Sequence, residues 1–162
     1  MSMRRLWLTL LCGFLVAPAA LAATHATGDG VFELRSGAGV IILNTSRGTV
    51  WGQVDSGKLV VTDPLAGDGV VLVSGAETTK YPTDNITVYT GKDLHFRVTG
   101  GKIRLWFKGS GIDLTAVGVG SAQLTGDAFT DPGDYSLDSG KWKAVPVVTF
   151  TVRFGVPPTP TP

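Results

Sequence analysis

Acid–base chemistry in proteins usually starts from histidine and glutamate, and this sequence holds only His25, His95, Glu33 and Glu77 of those two types. No serine stands in a G-x-S-x-G elbow, the sharp turn that presents a hydrolase nucleophile. Ser110, within K-G-S-G, reads as a turn former. A Ser-His-Asp set built on His95 would need distant partners that no motif nominates. Glycoside hydrolysis needs two carboxylates facing each other across a cleft. Most aspartates here adjoin Gly, Pro or Ser, where a carboxylate usually bonds its own backbone. The expectation is a non-catalytic chain, with a secreted hydrolase using a carboxylate pair as one alternative.

Metal chemistry is the other alternative. Cys12, the single cysteine, lies in the leading apolar run, so the rest of the chain has no thiolate ligand and no disulfide. Cleavage after Ala22 would expose Ala23-Thr24-His25. The free amine, two backbone amides and the imidazole then supply four nitrogens, a square-planar set that selects copper(II) or nickel(II). None of the three is proline, so both intervening amides can lose a proton. A second candidate is D-A-F-T-D-P-G-D-Y-S-L-D, which gathers Asp127, Asp131, Asp134 and Asp138. Calcium takes several carboxylate and carbonyl oxygens from one flexible loop. The spacing is not that of an EF-hand, and Pro132-Gly133 already accounts for a turn. No other cofactor is implied.

The elements that would position such groups are short strands. The opening MSMRRLWLTLLCGFLVAPAALAA has a basic start at Arg4 and Arg5, an apolar run from Leu6 to Val16, and an A-x-A site at Ala20–Ala22. This is the pattern of a secretory signal peptide over residues 1–22. The apolar run is shorter than the roughly 20 residues a spanning helix needs. Setting Arg4 and Arg5 aside leaves 12 of the 14 Lys and Arg against 13 Asp and Glu. That near-balance gives no global field for nucleic acid or anionic lipid. The expected mature chain is exported, to the medium or the cell envelope, without a membrane span. Residues 23–30 read as a flexible leader, 31–154 as one domain, and the Pro/Thr-rich 155–162 as a disordered tail.

Within the domain, runs of period two such as VFELR, TVWGQV, DLHFRV and KIRLWF alternate with breaks such as SGAG, DSGK, TGGK and KGSG. Many short strands between regular turn signals predict an antiparallel all-β sandwich or barrel. Taking Gly100-Gly101 as a two-residue hairpin turn sets Val98 against Ile103, Phe96 against Leu105, and Leu94 against Phe107. A loop at 117–119 then sets Leu114 against Ala122. In this meander His95, Arg97, Arg104, Trp106 and Lys108 share one outer face, with His95 opposite Trp106 and Arg97 opposite Arg104. An outward tryptophan among cations is a surface for an envelope polymer or protein. The alternative is a β-solenoid of about eighteen residues per coil, with Leu94 stacked under Ile112. Long, irregular-looking connections at 62–69 and 74–85 weigh against it.

The stretch GIDLTAVGVGSAQLTG, with DPGDYSLDSGKWKAVP after it, resembles small secreted bacterial β proteins. They share a G-x-G-I-D-L-[ST]-A-V-G core and a closing Y-S-[LI]-[DN]-[SG]-G hairpin. The resemblance implies a signal peptide and an all-β fold, and brings no activity, ligand or catalytic residue. The function expected is a binding or structural role at the cell envelope.

Overall fold

A computed structural model describes residues 26–65 and 67–156, which form strands and no helix. The strands are β1 (Gly30–Thr62), β2 (Val70–Thr83), β3 (Ile86–Gly100), β4 (Ile103–Gly126), β5 (Asp134–Leu137), β6 (Lys143–Ala144) and β7 (Phe150–Phe154). All their pairings are antiparallel, in the order β2-β3-β1-β4-β7, with β5 added beside β1 and β6 beside β5. The antiparallel all-β class expected from the sequence is therefore found. Among the described residues no helix is long and apolar enough to cross a membrane.

Strand length reveals the architecture. β1 has 33 residues and β4 has 24, against the five or six that are usual. Each joins several of the short runs read from the sequence, and the chain folds over between them. β1 passes β4 twice: Leu105 pairs with both Leu43 and Val61, and Gly118 with both Gly30 and Gly48. Segments 39–45, 57–62, 86–91, 103–109, 120–126 and 150–154 form one layer. Segments 30–34, 48–54, 70–74, 94–100, 112–118 and 134–137 form the other.

Alternating residues of both layers point inward and meet. Phe96 and Phe107, from opposite layers, have ring centroids 5.1 Å apart, and Phe32 and Phe154 lie at 6.0 Å. Leu43, Leu59, Leu94, Leu105, Ile112 and Leu124 fill the space between and are fully buried. Burying a large apolar side chain is worth roughly 1.5–3 kcal/mol each, so this interior is the main source of stability in a chain without a disulfide.

Glycine makes the corners. Along one edge of the sandwich Gly91, Gly57, Gly109, Gly39 and Gly126 are successive register partners; along the other edge Gly100, Gly48, Gly118 and Gly30 are. Neighbouring backbones approach so closely there that a side chain has no room. A Cβ on Gly57 would strike the carbonyl of Lys108, and one on Gly109 would strike the carbonyl of Ser56. Gly48 and Gly118 block each other in the same reciprocal way, through the carbonyls of Val117 and Arg47. Gly39, Gly48, Gly57 and Gly118 also have φ of 124–155°, so these corners combine close approach with a backbone conformation that only glycine adopts readily.

Several local expectations are corrected. β3 and β4 do not pair: Gly100-Gly101 is a crossing between layers, and β3 lies between β1 and β2. Val98, Phe96 and Leu94 face Val50, Gly52 and Val54 instead of Ile103, Leu105 and Phe107. Leu114 pairs with Leu34 and Gly52, while Ala122 pairs with Leu43 and Val152. Leu94 and Ile112 flank Val54 from either side, so an antiparallel strand separates the two residues that a solenoid would stack. Residues 74–83, expected as an irregular connection, continue β2 along the exposed edge. Residues 26–30 are held in place. Arg47 bonds the Asp29 carboxylate at 3.0 Å and the Thr27 carbonyl at 3.1 Å, and the Val156 amide donates to the Gly28 carbonyl at 2.6 Å.

Candidate functional site

The outer surface of the layer containing 30–34, 48–54, 94–100 and 112–118 carries a trough of about 600 Å³. Its floor follows from the register. Trp51 stands between Arg97 and Thr115, with Glu33 beyond Thr115; Gln53 stands between His95 and Asp113. These positions alternate with buried Val50, Val54, Leu94 and Leu114, so the period of the strand sends them outward.

One wall is Trp142, 40% exposed. Its indole lies 4.3 Å from the Arg35 guanidinium carbon. Arg35 is itself held by Asp134, whose Oδ2 accepts from Nε at 3.2 Å and Nη2 at 2.9 Å. The stack Asp134–Arg35–Trp142 fixes an otherwise free aromatic side chain, with the cation–π contact and the ion pair acting together. Asp113 anchors the floor. Its Oδ1 accepts from the Ser36 amide at 2.6 Å and its Oδ2 from Gln53 Nε2 at 3.2 Å. Ser36 has φ 51°, a left-handed conformation that costs a non-glycine residue about 1–2 kcal/mol. The charge-assisted bond from Asp113 offsets that cost and sets the corner beside the trough. Both oxygens of Asp113 are thus engaged, which suits a holdfast better than a free acid or base.

A second hollow of about 490 Å³ lies at the β2 edge of the sandwich, lined by Leu72, Ser74 and Arg97 and by Tyr89 of the opposite layer, among others. His95 and Phe96 line both hollows. Together they make an elongated open surface crossing the strands, unlike the enclosed cleft that buries most of a small ligand. Two indoles with planar amide and carboxylate groups between them can stack on the apolar faces of sugar rings and hydrogen-bond the hydroxyls at their rims.

The patch expected from the sequence is divided between the layers. His95 and Arg97 border the trough. Arg104, Trp106 and Lys108 lie on the outer surface of the other layer, where Trp106 is flanked by Val60 and Ile42. Asp113 stands in the trough. Sequence reasoning missed Trp51 and Trp142. For Trp51 the signal was present: in TVWGQV it falls out of phase with Val50 and Val54, and so points outward. Nothing local to K-W-K announces that Trp142 folds back over Arg35.

The two metal candidates fare differently. Ala23, Thr24 and His25 lie outside the described residues. The aspartates of the other candidate do not converge, and no cluster of three His, Cys, Asp or Glu suited to a metal ion occurs among the described residues. Asp127 accepts from the Phe129 amide at 2.9 Å and Asp131 from the Gly133 amide at 3.0 Å. Asp134 holds Arg35, and Asp138 accepts from the Val31 amide at 2.8 Å. Each closes a turn or ties two strands, which is the usual task of a loop aspartate.

Compared with protein-family models, curated proteins and solved structures, the chain shows no significant match.

Proposed function

We propose that this is an exported, non-catalytic domain that binds a neutral glycan at the cell envelope. The observation that carries the reading is the trough, with Trp51 in its floor and Trp142 pinned as its wall by Arg35 and Asp134. Extended polysaccharides suit an open surface that crosses strands, and rigid aromatic side chains bind at low entropic cost. The leading residues 1–22 supply the export signal in this reading, and the envelope polymer is the partner. Glu33 lines the trough with Asp113, whose oxygens are both engaged, so the hydrolase alternative is tested at Glu33.

Affinity electrophoresis through gels containing xylan, mixed-linkage β-glucan or galactomannan tests the proposal. At least one polysaccharide should retard the wild-type protein. Trp51→Ala and Trp142→Ala should each weaken that retardation by about tenfold or more, as truncating a binding hot spot does. Failure of all three to retard a folded protein contradicts the reading. Release of reducing ends by the wild type and not by Glu33→Gln would replace it with the hydrolase.

A further inference from the structure

We propose that the outer surface of the opposite layer is a second binding face, selective for an acidic polysaccharide. The register lays its outward residues in rows across the strands. Val88, Val60, Trp106 and Ile42 are successive partners and form an apolar stripe. Lys58 and Lys108 face each other on one side of this stripe, two residues along the strands; Arg104 stands on the other side, with Arg153 further along its row. A two-residue step is roughly 7 Å, so the cations stand about that far to either side of the stripe.

The charge is one-sided. Lys80, opposite Val88, adds a fifth cation, and none of the five joins a salt bridge among the described residues. No outward residue of these rows is a carboxylate. Glu77 sits at the corner and lines a hollow with Lys58 and Lys108. Five cations of a near-neutral chain thus share one surface whose rows hold no outward carboxylate, while Arg35 and Arg97 stand at the trough. Like charges placed directly opposite, as Lys58 and Lys108 are, destabilise a sheet, and an anion bound between them relieves that repulsion.

The occupant is an acidic glycan rather than a bilayer. Trp106 is half-buried between Val60 and Ile42, and the most exposed large apolar side chains, among them Leu65 and Phe129, lie elsewhere. The stripe thus offers a flat indole on which a ring can stack, and nothing that projects far enough to enter acyl chains. Carboxylates or sulfates along the sugar chain meet the lysines on one side and Arg104 on the other.

The experiment uses the secreted protein immobilised through its C-terminus, with polygalacturonate, alginate and heparin as probes. Phosphatidylglycerol and phosphatidylcholine vesicles serve as the lipid arm. At least one polyanion should bind at about 0.05 M salt and be lost at about 0.5 M, where screening is severe. Lys58→Ala/Lys108→Ala and Trp106→Ala should each weaken binding about tenfold, while Trp51→Ala leaves it unchanged. That last variant separates this face from the trough. No binding to any of the three polyanions by folded protein overturns the proposal. Equal binding by the lysine double variant, or binding to phosphatidylglycerol vesicles alone, overturns it as well.

Discussion

Trp106 and Phe107 are adjacent and have opposite tasks. Phe107 is fully buried against Phe96, so Phe107→Ala should cost about 3–5 kcal/mol in a denaturant titration. Trp106→Ala should leave the same titration nearly unchanged. Arg35→Ala is a subtler probe: it removes the support under Trp142 without touching the trough floor. Its expected result is weaker polysaccharide retardation at unchanged thermal midpoint; full retardation would show that Trp142 needs no pinning. Tyr89 offers a pH test. Burial, and secondarily the neighbouring Tyr81, raises its phenol above the ordinary 10.0. The neutral form is thus favoured in the folded state. Its contribution to stability is present below that value and is lost as pH rises through the folded pKa, a decline that Tyr89→Phe should reduce. Inward and outward positions were legible residue by residue, because period-two alternation marks Phe107, Leu105 and Val98 as core. Which outward residues share a surface was not legible. That depends on which strand lies beside which, and His95 and Trp106 are separated by an entire layer.

At the scale of elements, the short strands were visible in the sequence and their connections were not. SGAG, DSGK and KGSG read as reversals, yet each is a corner at which a strand continues into the other layer. Glycine serves both purposes, since a hairpin needs its dihedral freedom and a corner needs its missing side chain as well. Only the pairing of Gly57 with Gly109 and Gly91 distinguishes them, and that pairing is long-range. The edge portion of β2, AETTKYPT, was hidden for another reason: it is largely exposed on both faces, so no alternation marks it. The corners make a sharp prediction. Gly109→Ala forces a methyl against the Ser56 carbonyl and should destabilise the domain by about 1–3 kcal/mol or more, as overpacking does. Gly67→Ala meets no atom within 4 Å, although its φ is 94°; it should cost only the backbone strain, about 1 kcal/mol. Equal losses at the two sites would contradict the close-approach account of the corners.

The whole molecule is a two-layered slab with different chemistry on its two outer surfaces. One carries the trough with its indoles, amide and carboxylates; the other carries an apolar stripe between cations. On the two proposed binding faces, such a domain would hold two polymers at once. Circular dichroism should show strand without helix, and reductant should leave the thermal midpoint unchanged, because the interior alone holds the layers together. The indole N–H resonances of the domain report on the trough directly. In a protein produced without residues 1–22, Trp51, Trp106 and Trp142 are the tryptophans, assignable by single Trp→Phe variants. Titration with short oligosaccharides of the neutral polysaccharide that retards the protein should shift Trp51 and Trp142 and leave Trp106 in place. A shift of Trp106 alone, or of none of the three, would contradict the account.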